Sequence, residues 1–145
     1  MMAHMSVDGL DALIDGLDAL TRIPASTLDG MLEAGAEVLV QAQRAEIGRQ
    51  WSGPHSLGIS AKSVKKDRPQ KSWYGRSIAV YPQGTRKRGK KRARNAEIAF
   101  INEYGAPKRG IAARPAIYTA NEKAADKAVE AGERVYHAYL DSKEL

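Results

Sequence analysis

Residues 99–105, Ala99-Phe100-Ile101-Asn102-Glu103-Tyr104-Gly105, and the segment nine residues on, Arg114-Pro115-Ala116-Ile117, punctuate this chain more sharply than any other part of it. An apolar, strand-like run stops at Glu103-Tyr104-Gly105, a basic turn follows, and an Arg-Pro pair opens a long helical segment. Glycine after such a run supplies the φ > 0 conformation of a sharp exit. Proline at a first helical turn sacrifices no hydrogen bond, because the N–H it lacks has no intrahelical partner there. The segment therefore reads as a rigid corner from a sheet into a helix. Glu103 is expected to cap or pair locally, with Arg114 or Arg109 as the nearby cations, in a structural rather than a catalytic role.

Outward from the corner, Arg114 to Leu140 reads as a C-terminal helix. Ile117, Ala120, Ala124, Ala128, Ala131, Val135 and Leu140 give it an alanine-lined face that admits close approach of another element. Upstream, Ala96 to Tyr104 is open to two readings, a strand pairing with 72–81 or a short helical turn. Ser72 to Tyr81 alternates like a strand and ends at Pro82-Gln83-Gly84. A short helix is compatible with Ser56 to Lys66. The clearest helix runs from about Ser26 or Thr27, either of which can cap it, to about Arg49, with Leu28, Met31, Leu32, Val38, Leu39, Ala42 and Ala45 as its stripe. Gly35 falls on that stripe, weakening the helix but allowing a neighbour to come close. Trp51-Ser52-Gly53-Pro54-His55 ends it.

Residues 8–20 hold a near-exact heptad repeat, Asp8-Gly9-Leu10-Asp11-Ala12-Leu13-Ile14 and then Asp15-Gly16-Leu17-Asp18-Ala19-Leu20. Leu10, Leu13, Ile14, Leu17 and Leu20 share one helical face, with the aspartates on the other. Gly9 and Gly16 weaken a helix by roughly 1 kcal/mol each, and two heptads are too few for a self-sufficient coiled coil. Leu10, Leu13, Leu17 and Leu20 are thus candidates for packing against the same or a neighbouring subunit. Met1 to Met5 resembles a vector-derived or alternative start.

The chain's 145 residues bound it to a single domain: 1–6 disordered or vector-derived, 7–21 the amphipathic helix, 25–140 the core. The expected class is α+β, with long N- and C-terminal helices packed on a small antiparallel sheet. There is no cysteine, which excludes disulfides, thiol chemistry and Cys-ligated metal. No apolar run approaches the ~18 residues of a membrane span, and the start lacks a signal-peptide layout; no membrane partner is expected.

Net charge is +6, unevenly spread. Residues 61–94 carry 13 Lys or Arg against Asp67 alone, a local +12, while the remainder carries −6. Within 85–95 lie Arg86, Lys87, Arg88, Lys90, Lys91, Arg92 and Arg94. A run with so little apolar content is expected as a mobile, solvated loop, ordered only by a partner. Its cations suit an acidic neighbouring surface or phosphates. No aromatics interleave with them, so single-strand stacking is not indicated.

Enzyme chemistry finds little footing. His4, His55 and His137 are scattered, with no second ligand at metal spacing. The aspartates of residues 8–18 splay along a solvent face without carbonyl ligands. Gly84 to Lys91 lacks the P-loop order. No cofactor, metal or catalytic residue is expected.

Glu103-Tyr104-Gly105 with Ala113-Arg114-Pro115 resembles the signature of the neck, or head–tail joining, proteins of long-tailed bacteriophages, the tail-completion or gene-ten-like family. The family pattern is an apolar run, an acidic-aromatic-glycine stop, a polar turn, then Ala-Arg-Pro and a C-terminal helix. The likeness extends over residues 27–140; Ser52-Gly53-Pro54-His55-Ser56-Leu57 stands, loosely matching, where the family has a Thr-Gly-x-Leu-like turn. It implies a non-enzymatic virion protein of the neck or tail, present in host cytoplasm during assembly. It further implies a ring, six-fold, between head connector and tail, with adjacent connector and tail proteins as partners and double-stranded DNA in the channel as a further contact. Two other readings remain beside it: a small non-specific nucleic-acid-binding protein, motivated by the +12 segment, and a small enzyme or toxin, for which no nucleophile–base pair is evident.

Overall fold

In the computed structural model, residues 22–53 and 58–143 are described. Two long helices carry the architecture: α1, Ala25–Gln50, and α4, Ala116–Ser142. Between them run α2 (Ile59–Ser63), β1 (Val64–Lys66), β2 (Gln70–Ser72), β3 (Gly75–Ser77), β4 (Val80–Pro82), β5 (Thr85–Arg88), β6 (Lys91–Arg94) and α3 (Asn95–Tyr104), then a 3-10 turn at Pro107–Arg109. The chain is α+β, with long helices at both ends of the described part and small antiparallel sheets between.

α1 and α4 pack antiparallel. Gly30 lies against Val135, Gly35 against Ala128, Gly132 against Met31, and Gln43 Nε2 donates to Asn121 Oδ1 at 3.0 Å. Small residues let the backbones touch: a Cβ at Gly35 would sit 3.1 Å from the Ala128 carbonyl oxygen, and one at Gly132 would sit 3.3 Å from that of Met31. The expectation of close approach through Gly35 and the alanine face of the last helix holds. The core gathers where the C-terminal half of α1 meets β1, α3 and the start of α4: Val40, Ile47, Trp51, Val64, Ala99 and Ala116 are all buried.

Several local expectations are corrected. α1 begins at Ala25, so Ser26 and Thr27 lie inside it and cap nothing. Pro24 stands at the N-cap, and its carbonyl accepts from the N–H groups of Thr27 and Leu28. Ser72 to Tyr81 is not one strand. The chain reverses at Trp73-Tyr74, with Gly75 at φ 128°, so that β2 pairs with β3, Gln70 opposite Ser77. β4 pairs instead with β1, Val64 opposite Pro82. Arg76 pins the first hairpin to α1 through a bidentate pair with Asp29. The helix sought in 56–66 covers only Ile59–Ser63 before the chain extends into β1.

Residues 95–104 are helix, and their burial shows why: Asn95, Ala99 and Glu103, four apart, face inward. The corner therefore joins helix to helix rather than sheet to helix. The basic run forms a β5–β6 hairpin, Thr85 opposite Arg94, turning at Gly89 with φ 65°. Backbone pairing, not apolar burial, orders it, and most of its side chains are exposed. Leu10, Leu13, Leu17 and Leu20, the heptad segment they mark and the start at Met1–Met5 lie outside the described residues. No helix of the described residues is long and apolar enough to cross a membrane.

Candidate functional site

The Glu103–Pro115 corner is held from three sides. Tyr104 ends α3, and Gly105 follows it at φ 76°, its N–H donating to the Ile101 carbonyl. A Cβ there would lie 2.7 Å from Ala113 N and 2.8 Å from Ile111 O, so position 105 excludes any side chain on both conformational and steric grounds. Ala106 and Ile111 exchange backbone hydrogen bonds across the 3-10 turn. Pro115 delivers the chain into α4.

Glu103 is buried and spends its carboxylate on the first turn of α4, accepting from Ile117 N at 2.9 Å and Tyr118 N at 2.8 Å. That is helix capping at a distance in sequence: a carboxylate satisfies orphan N–H groups and meets the positive end of the helix dipole. Of the two roles expected of Glu103, capping is the one formed, though across the corner on α4 rather than locally. The alternative pairing with Arg114 or Arg109 is not formed. Arg114 ties the corner to α1 instead. Its guanidinium donates to Gln50 O and to Asn102 Oδ1 at 2.9 Å, its N–H donates to Asn102 O, and its carbonyl accepts from Trp51 Nε1 at 2.8 Å.

Around this scaffold lie two unlike surfaces. On one side Phe100, Tyr104 and Tyr118 stand 62%, 67% and 64% exposed, large values for aromatic rings. Phe100 and Tyr104 lie against each other in a tilted pair, 4.8 Å between centroids. With Tyr81 and Ile117 they border a hollow of about 300 Å³. On the other side the β5–β6 hairpin carries the cations. Lys87, Arg88, Lys90 and Lys91 are exposed, and their side chains make no hydrogen bond or ion pair among the described residues. Arg92 donates to Thr85 Oγ1, and Arg94 lies 4.0 Å from Glu97.

Arg86 separates from this group. Its guanidinium turns inward, donating to Asn95 Oδ1 and Ser60 Oγ, both at 2.7 Å. Burial pushes its pKa down, and the neighbouring Arg88 charge adds to the shift. The sequence offered one missed signal for this. Asn95 and Asn102 are two helical turns apart and share a face of α3, but only once 95–104 is read as a helix.

No family model, curated protein or solved structure matches the chain. The site must be judged on its own chemistry. Among the described residues no group of three or more His, Cys, Asp or Glu gathers to hold a metal ion. His137 sits exposed on α4 beside Tyr136, while His4 and His55 are outside the described residues. Among the described residues the one strongly perturbed carboxyl is Glu46, under the α1–α4 seam. Hydrogen bonds from Arg49, Gln50 and Lys123 lower its pKa to about 2 against the opposing effect of burial. That network joins α1 to α4 and offers no nucleophile.

Proposed function

We propose that this chain is a structural subunit of the neck of a long-tailed bacteriophage, assembling as a six-fold ring between head connector and tail and contacting the proteins on either side. The observation that carries this reading is the exposed aromatic group Phe100, Tyr104 and Tyr118, set on a corner whose polar groups are consumed in holding α1, α3 and α4 together. Aromatic side chains exposed this far, clustered on a rigid base, are what a subunit interface requires. The Glu103-Tyr104-Gly105 and Ala113-Arg114-Pro115 motifs, by which the chain resembles the neck proteins, frame that surface. Residence in the virion, and in host cytoplasm during assembly, follows from the same reading, as does function without a catalytic residue.

Native mass spectrometry and electron microscopy of the purified protein test it. Rings, or a monomer recruited into rings by connector or tail proteins, are expected. Purified virions with no copies at the neck would overturn it.

A second reading, non-specific contact with duplex DNA, is favoured by the hairpin's unpaired cations. Such binding reads no sequence and weakens steeply with salt. A mobility-shift titration at low salt separates it: loss of binding on neutralising Lys87, Arg88, Lys90 and Lys91 together supports it, and no binding by the unaltered chain removes it.

A further inference from the structure

Arg86 and Arg114 line one cleft of about 370 Å³ between the C-terminal end of α1, α2 and α3. Each guanidinium is half-buried and each is fixed by a neutral acceptor on the same face of α3: Asn95 for Arg86, Asn102 for Arg114. Their other partners, Ser60 Oγ and the Gln50 carbonyl, are neutral as well. Among the described residues no Asp or Glu lines the cleft, and neither arginine has a carboxylate within ion-pair distance.

Arg76, likewise partly buried, is neutralised by Asp29, whereas Arg44 donates to the Val64 carbonyl and has no carboxylate partner among the described residues. An aspartate at 102 would orient Arg114 equally well and cancel its charge, while at 95 the amide is also needed as a donor, Asn95 Nδ2 reaching the Gln83 carbonyl at 2.7 Å. Asparagine orients without cancelling. Two fixed positive charges are thereby kept where the protein screens them less than water would, beside the apolar walls of Ile47, Trp51 and Ile59. Desolvation and the Arg88 charge already disfavour the charged form of Arg86, a cost that a bound anion relieves.

We propose that this cleft binds a small oxyanion, a phosphate- or carboxylate-bearing group, with Arg86 and Arg114 supplying the charge and the forked donors. Guanidinium groups suit both chemistries, since their paired N–H groups match the oxygen spacing of either. The site is independent of the ring reading and of the exposed hairpin cations.

The test titrates the full chain with inorganic phosphate and, separately, acetate, at ionic strength held constant with sodium chloride, following the arginine Nε–H resonances by NMR. A saturable, one-site shift of the Arg86 and Arg114 resonances is expected. Response to phosphate alone assigns a phosphate group, and response to acetate assigns a carboxylate. Asn102→Asp places a carboxylate against Arg114. It is expected to weaken the anion at least tenfold while the melting temperature holds or rises. Arg86→Gln removes the second charge and is expected to weaken it by a similar factor, whereas Lys90→Gln/Lys91→Gln leaves affinity unchanged. No saturable response, undiminished binding in folded Asn102→Asp and Arg86→Gln, or loss of binding in the hairpin variant overturns the proposal.

Discussion

The Glu103 carboxylate, at the end of α3, caps the N–H of Tyr118 at 2.8 Å, fifteen residues on and in the first turn of α4. It holds Ile117 N in the same way, so one buried side chain fixes the angle between two helices that share few other contacts. Replacing Glu103 with Ala leaves two helix N–H groups without their acceptor and is expected to cost about 1–3 kcal/mol. Gln, keeping one acceptor oxygen, should cost less than Ala. Urea unfolding of the two variants checks the order.

Gly105 makes a steric prediction beside this electrostatic one. Gly105→Ala combines an unfavourable φ with contacts under 3.0 Å to the backbone of Ile111 and Ala113. Gly89→Ala, at the hairpin turn, meets nothing within 4 Å and bears only the φ penalty, about 1 kcal/mol. Thermal unfolding should show Gly105→Ala markedly the worse of the two.

Two helical glycines should respond with opposite sign. Gly48→Ala has open space around the new methyl and is expected to stabilise α1 by about 1 kcal/mol. Gly35→Ala gains the same propensity but drives a methyl to 3.1 Å from the Ala128 carbonyl, forcing α1 and α4 apart. A net loss of stability is expected at Gly35, and equilibrium denaturation of both variants decides it.

Glu46 sets a pH dependence. Its folded pKa, about 2, lies below its ordinary value of 4.5 because Arg49 and Gln50 hydrogen-bond the carboxylate. A group depressed in the folded state contributes stability above its unfolded pKa and loses it as pH falls towards the folded one. The difference in melting temperature between the unaltered chain and Glu46→Gln should therefore be full at neutral pH. It should shrink between about pH 4.5 and 2.

The long helices were legible because their signals are long. Apolar positions recur over the 26 residues of α1, and alanines line the face of α4 that meets Gly35. The middle was not, for reasons particular to each piece. Strands of three or four residues are too short for alternation to show, so β3 and β4 merged into one apparent strand across Ile78-Ala79. Ala96 to Tyr104 is rich in residues that suit either a strand or a helix, and only tertiary burial at a four-residue spacing decides for α3. The basic run carries no apolar signal at all; its order comes from backbone pairing around Gly89. At the corner, the glycine exit and the capping role of Glu103 were readable, whereas the reach of Arg114 to Gln50 and Asn102 depends on chain segments 64 and 12 residues away.

The aromatic surface gives the sharpest separation of assembly from folding. Phe100 and Tyr118 are mostly exposed and lie outside the buried core, so Phe100→Asp and Tyr118→Asp should each leave the melting temperature of the isolated subunit within a few degrees. At a subunit interface the same substitutions bury an unpaired charge, which is strongly unfavourable. Loss of rings in native mass spectra with unchanged circular dichroism is the expected outcome. Rings that persist in both variants would remove this patch from the interface and, with it, the observation on which the neck reading rests.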